Sequence, residues 1–252
     1  MNFANFSPNF KCFILLNQYI TVDYVNNSFF IFDEQDILRL RNDWRIIAQT
    51  GSSAQDQLPY FLSPEQVAVL VLYGAARVRV SVKNALRLQQ NAVLEKEFNS
   101  GVNNDEECSS ERNDDMMSKN DSRFIAFKKI DPNEEQHCWL NEFEVPMPCT
   151  RDHRARNIVF HDLWRKGYYL TSGEQYGCAY LVYEGIPGEV HAKYLLDFVM
   201  DDEEASMINI ISLVRVATQV KKELLLAVVA SDSSHPHYIS FNRFRPYSKE
   251  YE

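Results

Sequence analysis

The sequence is poor in cysteine and contains no long apolar run. Its 252 residues include five cysteines, an odd number without a C-x-x-C pair. This argues against a disulfide framework and a structural zinc site, and favours a reducing compartment. No apolar run approaches the roughly 18 residues of a membrane-spanning helix. The run from Cys12 to Leu16 is strand-sized, and we expect no signal peptide because no small-residue cleavage site follows it. Hydrophobic residues at 45% and charged residues at 24% predict a globular protein of one or two domains.

Several common catalytic signatures are also missing. The chain has no dinucleotide-binding G-x-G-x-x-G, no P-loop G-x-x-x-x-G-K, no zinc-protease H-E-x-x-H and no serine-hydrolase G-x-S-x-G. His235 and His237 flank a proline, and His137 precedes Cys138. Neither pair has partners at the spacing of a metal site, so no metal site is predicted.

Acidic residues outnumber basic residues by 35 to 26, which gives a net charge of −9. Most of the excess lies in residues 103–147, which hold 12 acidic and 5 basic groups. The overall charge therefore does not exclude a nucleic-acid partner at other surfaces. Residues 103–122 are acidic and polar without an apolar period, and we expect them to be disordered and dispensable for activity.

This acidic stretch divides the chain into an N-terminal α/β unit (1–92), an acidic, partly disordered insertion or linker (93–147) and a C-terminal unit (148–252). In the N-terminal unit, Ser63 as N-cap, Pro64 at the first helical position and Gln66 as capping-box partner predict a helix start. The other elements expected there are strands over 13–16, 19–22 and 28–32, a turn at 26–27, and helices over 34–43 and 82–96.

The C-terminal unit shows a clearer alternation of elements. Helical spacing of apolar residues predicts one helix that ends at Gly167 and another over 208–221. Strands are predicted over 168–171, 179–183, 192–200, 224–229 and 237–241, with an exposed acidic loop over 201–204, while the apolar patch 138–140 is expected to pack on one of the two units. The predicted fold is therefore α/β (α+β), a small mixed sheet-and-helix unit followed by an α/β unit around a central mixed sheet.

Three polar residues of the C-terminal unit are candidates for chemistry. Tyr183 ends a predicted strand, His191 follows a turn containing glycine and proline, and Lys222 lies between a predicted helix and a buried strand. Each also has a structural explanation, as a strand-end tyrosine, a hydrogen-bonded histidine and a lysine favoured by a helix dipole. Composition taken alone favours that structural explanation.

The order and spacing of these residues resemble the C-terminal domain of the tRNA-splicing endonuclease family, well over 154–245. The N-terminal unit resembles, more weakly over 19–80, the eukaryotic catalytic subunit that cuts the 3′ splice site. His191 and Lys222 are 31 residues apart, which is the family spacing. The matching motifs are Asp36-x-x-x-Leu-Arg-x-x-x-Arg45, Leu58-Pro-Tyr-Phe-Leu-Ser-Pro-Glu-Gln66, Gly167-Tyr-Tyr-Leu-Thr-Ser-Gly173, Tyr176-Gly177, Tyr183-Glu-Gly-Ile-Pro-Gly-Glu-Val-His191 and Arg215-Val-Ala-Thr-Gln-Val-Lys-Lys222.

The resemblance implies a restriction-endonuclease-like C-terminal domain that cleaves precursor tRNA without a metal or cofactor. It implies Tyr183 as the base for the ribose 2′-hydroxyl, His191 as the acid for the 5′-oxygen, and Lys222 as the positive charge on the phosphate. A histidine titrates near neutrality, and a nearby ammonium favours a tyrosine's phenolate, so these roles are chemically consistent. The products would be a 2′,3′-cyclic phosphate and a 5′-hydroxyl.

The sequence departs from the family pattern at two places. Ile186 stands where the family often has aspartate, and Cys178-Ala179 offers no acid where one is common. Both changes concern strand or turn geometry rather than the three chemical groups. Lys221 adjoins Lys222, and the 31-residue spacing favours Lys222 as the active lysine.

The resemblance also implies partners. It predicts a nuclear complex with one further catalytic and two structural subunits, although a cytosolic or organelle-surface location is left open. Structural subunits of the family insert an acidic loop, which follows the last buried strand, into a neighbouring subunit. The corresponding segment here, residues 230–236, contains only one acidic residue. This chain is therefore expected to receive such a loop. The last strand, His237–Phe241, is expected to bind a small structural subunit through its edge. Arg243 and Arg245 are more consistent with an exposed charged tail than with phosphate contacts.

Two other functions remain as alternatives. A non-catalytic structural subunit of the same complex would have no reason to keep Tyr183, His191 and Lys222 together. A metal-dependent nuclease of similar topology would need an Asp…Glu-x-Lys cluster, which the sequence lacks. Resistance of the activity to EDTA would separate that second alternative.

Overall fold

The computed structural model describes residues 19–50, 59–82, 137–230 and 233–242. The predictions for 13–16, for the body of a helix over 82–96, for the acidic segment 103–122, and for Arg243 and Arg245 lie outside these ranges. Within them the chain forms two mixed sheets and four α-helices, which confirms the predicted mixed α/β class. None of the helices in the described ranges is both long and apolar enough to cross a membrane.

The elements follow one another in the order expected for two successive α/β units. In chain order they are β1 (Ile20–Val25), β2 (Ser28–Ile31), α1 (Glu34–Asp43), β3 (Gln49–Thr50), β4 (Tyr60–Leu62), α2 (Pro64–Leu72), β5 (Ala76–Ser81), β6 (His137–Trp139), α3 (Arg151–Arg165), β7 (Tyr169–Ser172), a 3-10 turn (Glu174–Tyr176), β8 (Tyr180–Tyr183), β9 (Tyr194–Met200), α4 (Met207–Gln219), β10 (Glu223–Val229) and β11 (His237–Phe241).

The N-terminal sheet has the strand order β3-β4-β2-β1-β5-β6, in which β1 and β5 run parallel. Asn26 and Asn27, with φ of 49° and 59°, make the predicted tight turn between β1 and β2. Ser63 and Gln66 form the predicted capping box at the start of α2. Cys138 lies in β6, so the apolar patch that contains it belongs to this sheet.

The C-terminal sheet has the order β11-β10-β9-β8-β7, in which β9 and β10 run parallel. Its five strands and two helices confirm the sequence predictions. Strand β9 begins at Tyr194, two residues later than predicted. Tyr194 pairs with Val182 of the antiparallel strand β8, and β8 ends only one residue later. The predicted loop over 201–204 is exposed.

The two faces of this sheet are covered by different helices. Leu196 on β9 belongs to the same apolar cluster as Val159 and Trp164 of α3. Leu195, the preceding residue, packs in a second cluster with Ala217 of α4. Because side chains alternate between the faces of a strand, α3 covers one face and α4 the other.

The two units meet through a buried aromatic contact. The indole N–H of Trp164 on α3 donates to the carbonyl oxygen of Trp44 at 2.6 Å, and the two rings stack with their centroids 6.5 Å apart. Arg45 donates to the carbonyl of Trp164 at 3.0 Å. The end of α1 is therefore fixed against α3, and this contact determines where α1 lies relative to the C-terminal sheet.

Candidate active site

Tyr183 is the last residue of β8 and is half-buried. The hydroxyl of Thr171, on the neighbouring strand β7, lies 3.5 Å from the Tyr183 hydroxyl and is placed to donate to it. The chain then leaves the strand through a turn in which the carbonyl of Ile186 accepts from the N–H groups of Glu189 and Val190 at 3.0 and 3.2 Å. The turn uses the backbone of Ile186, so it forms without the aspartate that the family often has there.

His191 follows this turn and is exposed. Its neighbour Ala192 is buried, and the N–H of Lys193 donates to the carbonyl of Val182 at 2.8 Å. These contacts fix the backbone on the C-terminal side of His191. The imidazole is therefore displayed to solvent at the end of the sheet where β8 finishes and β9 begins.

Lys222 lies between α4 and β10, at the point where the helix ends. Lys221 adopts a left-handed conformation, with φ of 55°, and the N–H of Lys222 bonds back to the carbonyl of Ala217 at 2.8 Å. This arrangement is a Schellman-type helix end, usually built on glycine at the position of Lys221. It separates the two lysines: Lys221 is exposed, whereas Lys222 is half-buried with its Nζ 3.4 Å from the carbonyl of Val220.

The strand register brings the three predicted residues to one end of the C-terminal sheet. Tyr194 at the start of β9 pairs with Val182 near the end of β8 and with Glu223 at the start of β10. Tyr183 follows Val182, and Lys222 precedes Glu223. Since adjacent strands are about 4.8 Å apart, the backbones of Tyr183 and Lys222 are separated by roughly two strand spacings.

Tyr183 and Lys222 also belong to the same face of the sheet. Leu181 and Leu224 both pack in the apolar cluster that α4 covers. Tyr183 is two residues after Leu181, and Lys222 is two residues before Leu224, so the period of two places both on the α4 side. The segments that carry a phenol, an imidazole and an ammonium group therefore meet at this corner of the sheet.

Two charged contacts at this corner are absent from the sequence predictions. Lys193 Nζ lies 2.5 Å from Glu184 Oε1, and this hydrogen bond raises the pKa of Lys193 above its ordinary value. Arg41 of α1 approaches Glu189, with Nη2 3.9 Å from Oε1. The position of Lys193, two residues after His191, could have identified it, but nothing local in the sequence indicates that α1 reaches this turn.

The second departure from the family pattern lies at the other end of β8. Cys178 is buried, its thiol contacts the carbonyl oxygens of Gly173 and Tyr180, and burial raises the pKa of the thiol to about 11. Cys178 precedes β8, whereas Tyr183 ends it. The missing acid is therefore replaced by a buried packing residue away from the candidate site.

The histidine and cysteine pairs that lack the spacing of a metal site do not converge in the part of the chain that the structure describes. His235 and His237 are exposed near β11, and His137 and Cys138 lie on β6 of the other sheet. No group of three or more His, Cys, Asp and Glu side chains within the described ranges could hold a metal ion.

Two family models match the chain over the ranges that carry the candidate site. Residues 153–237 match the family model "tRNA intron endonuclease, catalytic C-terminal domain", and residues 20–81 match the model "TSEN34-like, N-terminal domain". These ranges include Tyr183, His191 and Lys222, as well as helix α1 with Arg41.

Curated relatives named tRNA-splicing endonuclease are similar over the same region. The protein of Methanococcus maripaludis is 30% identical over 124 residues, which are 49% of this chain and 67% of the relative. That of Saccharolobus islandicus is 39% identical over 114 residues (45% and 63%), and that of Methanopyrus kandleri 40% identical over 76 residues (30% and 42%). The chain thus spans between 42% and 67% of the length of these relatives. On this similarity, the chain belongs to the tRNA-splicing endonuclease family.

Proposed function

We propose that this chain is a catalytic subunit of a tRNA-splicing endonuclease and cuts precursor tRNA at the 3′ splice site. The observation that carries the proposal is the convergence of Tyr183, His191 and Lys222 at one end of the C-terminal sheet. The match of the N-terminal unit to a TSEN34-like domain supports the assignment as a catalytic subunit. We also propose a nuclear location.

The proposed reaction uses the RNA's own nucleophile. Tyr183 takes the proton of the ribose 2′-hydroxyl, whose oxygen forms a bond to the adjacent phosphorus. The bond from phosphorus to the 5′-oxygen breaks, and His191 gives that oxygen a proton. The products are a 2′,3′-cyclic phosphate and a 5′-hydroxyl, so atoms and charge balance without a metal.

Lys222 and Thr171 support this chemistry at the phosphate and at the phenol. The ammonium of Lys222 stabilises the charge that builds on the non-bridging phosphate oxygens. The Thr171 hydroxyl, 3.5 Å from the Tyr183 oxygen, would donate a weak hydrogen bond that orients the phenol.

The proposed complex contains one further catalytic and two structural subunits, and β11 is the contact with a small structural subunit. β11 is an edge strand of its sheet, and its Ile239 is 46% exposed. The strand is held in place from behind, because the Tyr238 hydroxyl donates to Asp162 on α3 at 2.7 Å. An ordered edge with an exposed apolar side chain favours strand addition by a partner.

The test is cleavage of an intron-containing precursor tRNA by the assembled complex, with both junctions mapped. We expect His191→Ala to slow cutting at the 3′ junction by about 10²–10⁴-fold and to leave cutting at the 5′ junction unchanged. His235→Ala, which removes an exposed histidine from a different loop, is the matched control and should cut both junctions. Loss of the 5′ cut alone, or full activity of His191→Ala, would contradict the proposal; loss of activity in EDTA would favour the metal-dependent alternative.

A further inference from the structure

The N-terminal unit reaches the turn that precedes His191. Arg41, in the last turn of α1, places its guanidinium nitrogen Nη2 3.9 Å from Oε1 of Glu189. Glu189 lies in the turn between Tyr183 and His191, two residues before the histidine. A cation from one unit is thus positioned beside the candidate site of the other.

The fold fixes this position. Leu40, which precedes Arg41, is fully buried in the core that the two units share. Beyond the helix end, the carbonyl of Trp44 accepts from the indole of Trp164, and Arg45 bonds to the Trp164 carbonyl. The helix segment that carries Arg41 is therefore held on both sides, and these contacts keep the backbone of Arg41 close to the turn.

The contact between Arg41 and Glu189 is too weak to be the reason for this placement. The two side chains are 45% and 66% exposed, and exposed ion pairs contribute little to stability because water screens the charges. Within the described ranges, Glu189 is the one carboxylate within ion-pairing distance of Arg41. Arg39, two residues before Arg41, by contrast forms an ion pair with Asp36 at 2.9 Å. The Arg41 guanidinium is available to a stronger anionic ligand.

We propose that Arg41 binds a backbone phosphate of the RNA next to the bond that is cut, which rests on the proposed function above. A guanidinium can bind a phosphate through two parallel hydrogen bonds. Arg41 makes no such pair with Glu189, whose carboxylate oxygen is 3.9 Å away. Arg41 would act with Lys193 and Lys222 as one of three cations around the substrate. The N-terminal unit then contributes to substrate binding at the site and does more than support the fold.

The experiment measures binding of precursor tRNA and single-turnover cleavage at the 3′ junction by the assembled complex, as functions of salt concentration. Arg41→Ala should weaken RNA binding by about 3- to 10-fold and reduce the salt slope of log K by about one. Arg41→Lys should recover part of the loss, since it keeps the charge but not the two-bonded geometry. The control is Arg77→Ala, which removes another exposed arginine of the N-terminal unit, one that stacks over Tyr19 at 3.8 Å.

Glu189→Gln separates phosphate binding from a positioning role. If Arg41 acted by holding the turn through Glu189, the Gln variant would reproduce the cleavage defect of Arg41→Ala without changing the salt slope. We expect instead that Glu189→Gln binds RNA as well as wild type or better, because it releases the guanidinium and removes a negative charge. An unchanged unfolding midpoint for each variant establishes that the fold is intact.

The outcomes distinguish this proposal from the proposed function. A wild-type complex that neither binds nor cuts precursor tRNA would overturn both. A wild-type complex that binds and cuts, with Arg41→Ala equal to Arg77→Ala in affinity and salt slope, would overturn the role of Arg41 alone. Equal defects in Arg41→Ala and Glu189→Gln would also overturn it.

Discussion

The backbone N–H of Glu223 donates to the carbonyl oxygen of Lys193 at 3.1 Å. This bond ties the segment that carries Lys222 to the segment that carries His191, although the two are far apart in sequence. It lies at the point where the parallel pair β9 and β10 begins. The relative position of the candidate acid and the candidate phosphate-binding cation is therefore set by the sheet and does not depend on a loop alone.

The adjacent lysines at the end of α4 should respond differently to substitution. Lys221 adopts φ of 55°, which costs an ordinary side chain about 1 kcal/mol and costs glycine little. Lys221→Gly should therefore raise the free energy of unfolding by up to about 1 kcal/mol, with 3′ cleavage retained. Lys222→Ala should leave the unfolding midpoint nearly unchanged and abolish 3′ cleavage. If Lys221→Gly loses 3′ cleavage and Lys222→Ala keeps it, the active lysine is Lys221.

Gly173, which follows β7, and Gly185, which lies just beyond β8, should differ in the cost of an added methyl group. A Cβ at Gly173 would lie 2.5 Å from Cys178 Sγ, 2.7 Å from the Cys178 carbonyl oxygen and 2.9 Å from the Tyr180 nitrogen. Two of these atoms are backbone, so Gly173→Ala should destabilise the protein by about 1–3 kcal/mol in urea unfolding.

Gly185→Ala is the matched control for that substitution. Its Cβ would meet the side-chain methyl groups of Val190 at 3.3 Å, and these can shift. We expect a smaller loss of stability than for Gly173→Ala. An equal or larger loss at Gly185 would contradict the close packing of the Gly173 turn.

His161 should make the stability of the fold depend on pH. This half-buried residue on α3 lies 3.0 Å from the Tyr73 hydroxyl, and burial, together with the charge of Arg165, lowers the pKa of its imidazole despite the opposing effect of Asp162. In the unfolded chain the imidazole has its ordinary pKa of about 6.5. Below that pH the unfolded state binds more protons than the folded state, so the contribution of His161 to stability is lost as the pH falls.

His161→Gln removes this titration, and its unfolding free energy should fall less between pH 7.5 and pH 5.5 than that of wild type. Urea unfolding of both proteins at several pH values measures the difference, in which the contributions of other groups cancel. Parallel pH profiles for the two proteins would show that His161 titrates alike in both states.

Much of the C-terminal unit could be predicted because each element carries its own signal. Gly167, with φ of 97°, ends α3 where the helical spacing stops, and the apolar strands 224–229 and 237–241 stand out against polar neighbours. The candidate site could be predicted from the family resemblance, whose motifs lie on these elements, and the spacing from His191 to Lys222 spans one complete strand-helix connection.

The features that escaped prediction depend on contacts between distant residues. Strand β3 has two residues, too few to show a period. In β5, Arg79 is buried because it pairs with Asp23 at 2.6 and 2.9 Å, so the strand does not alternate polar and apolar faces. The contact of Arg41 with Glu189 follows from the way Trp44 and Trp164 join the two units, which no local pattern expresses.

The edge of β11 provides a test of the proposed assembly. Ile239→Pro should abolish co-purification of a small structural subunit, because proline removes a backbone donor and disturbs the strand. Ile239→Glu keeps the backbone and should weaken the association by placing a charge on the apolar contact. If co-purification is unchanged for both variants, β11 is not the contact strand.

The acid role of His191 is tested most directly by changing the leaving group of the RNA. His191→Ala should slow 3′ cleavage by about 10²–10⁴-fold, the usual contribution of a general acid, with little effect on RNA binding. A precursor tRNA with a 5′-thio leaving group at that junction needs little protonation, so it should restore most of the rate to His191→Ala but not to Lys222→Ala, whose missing charge acts on the phosphate. Rescue of neither variant, or equal rescue of both, would contradict the assignment of His191 as the group that protonates the 5′-oxygen.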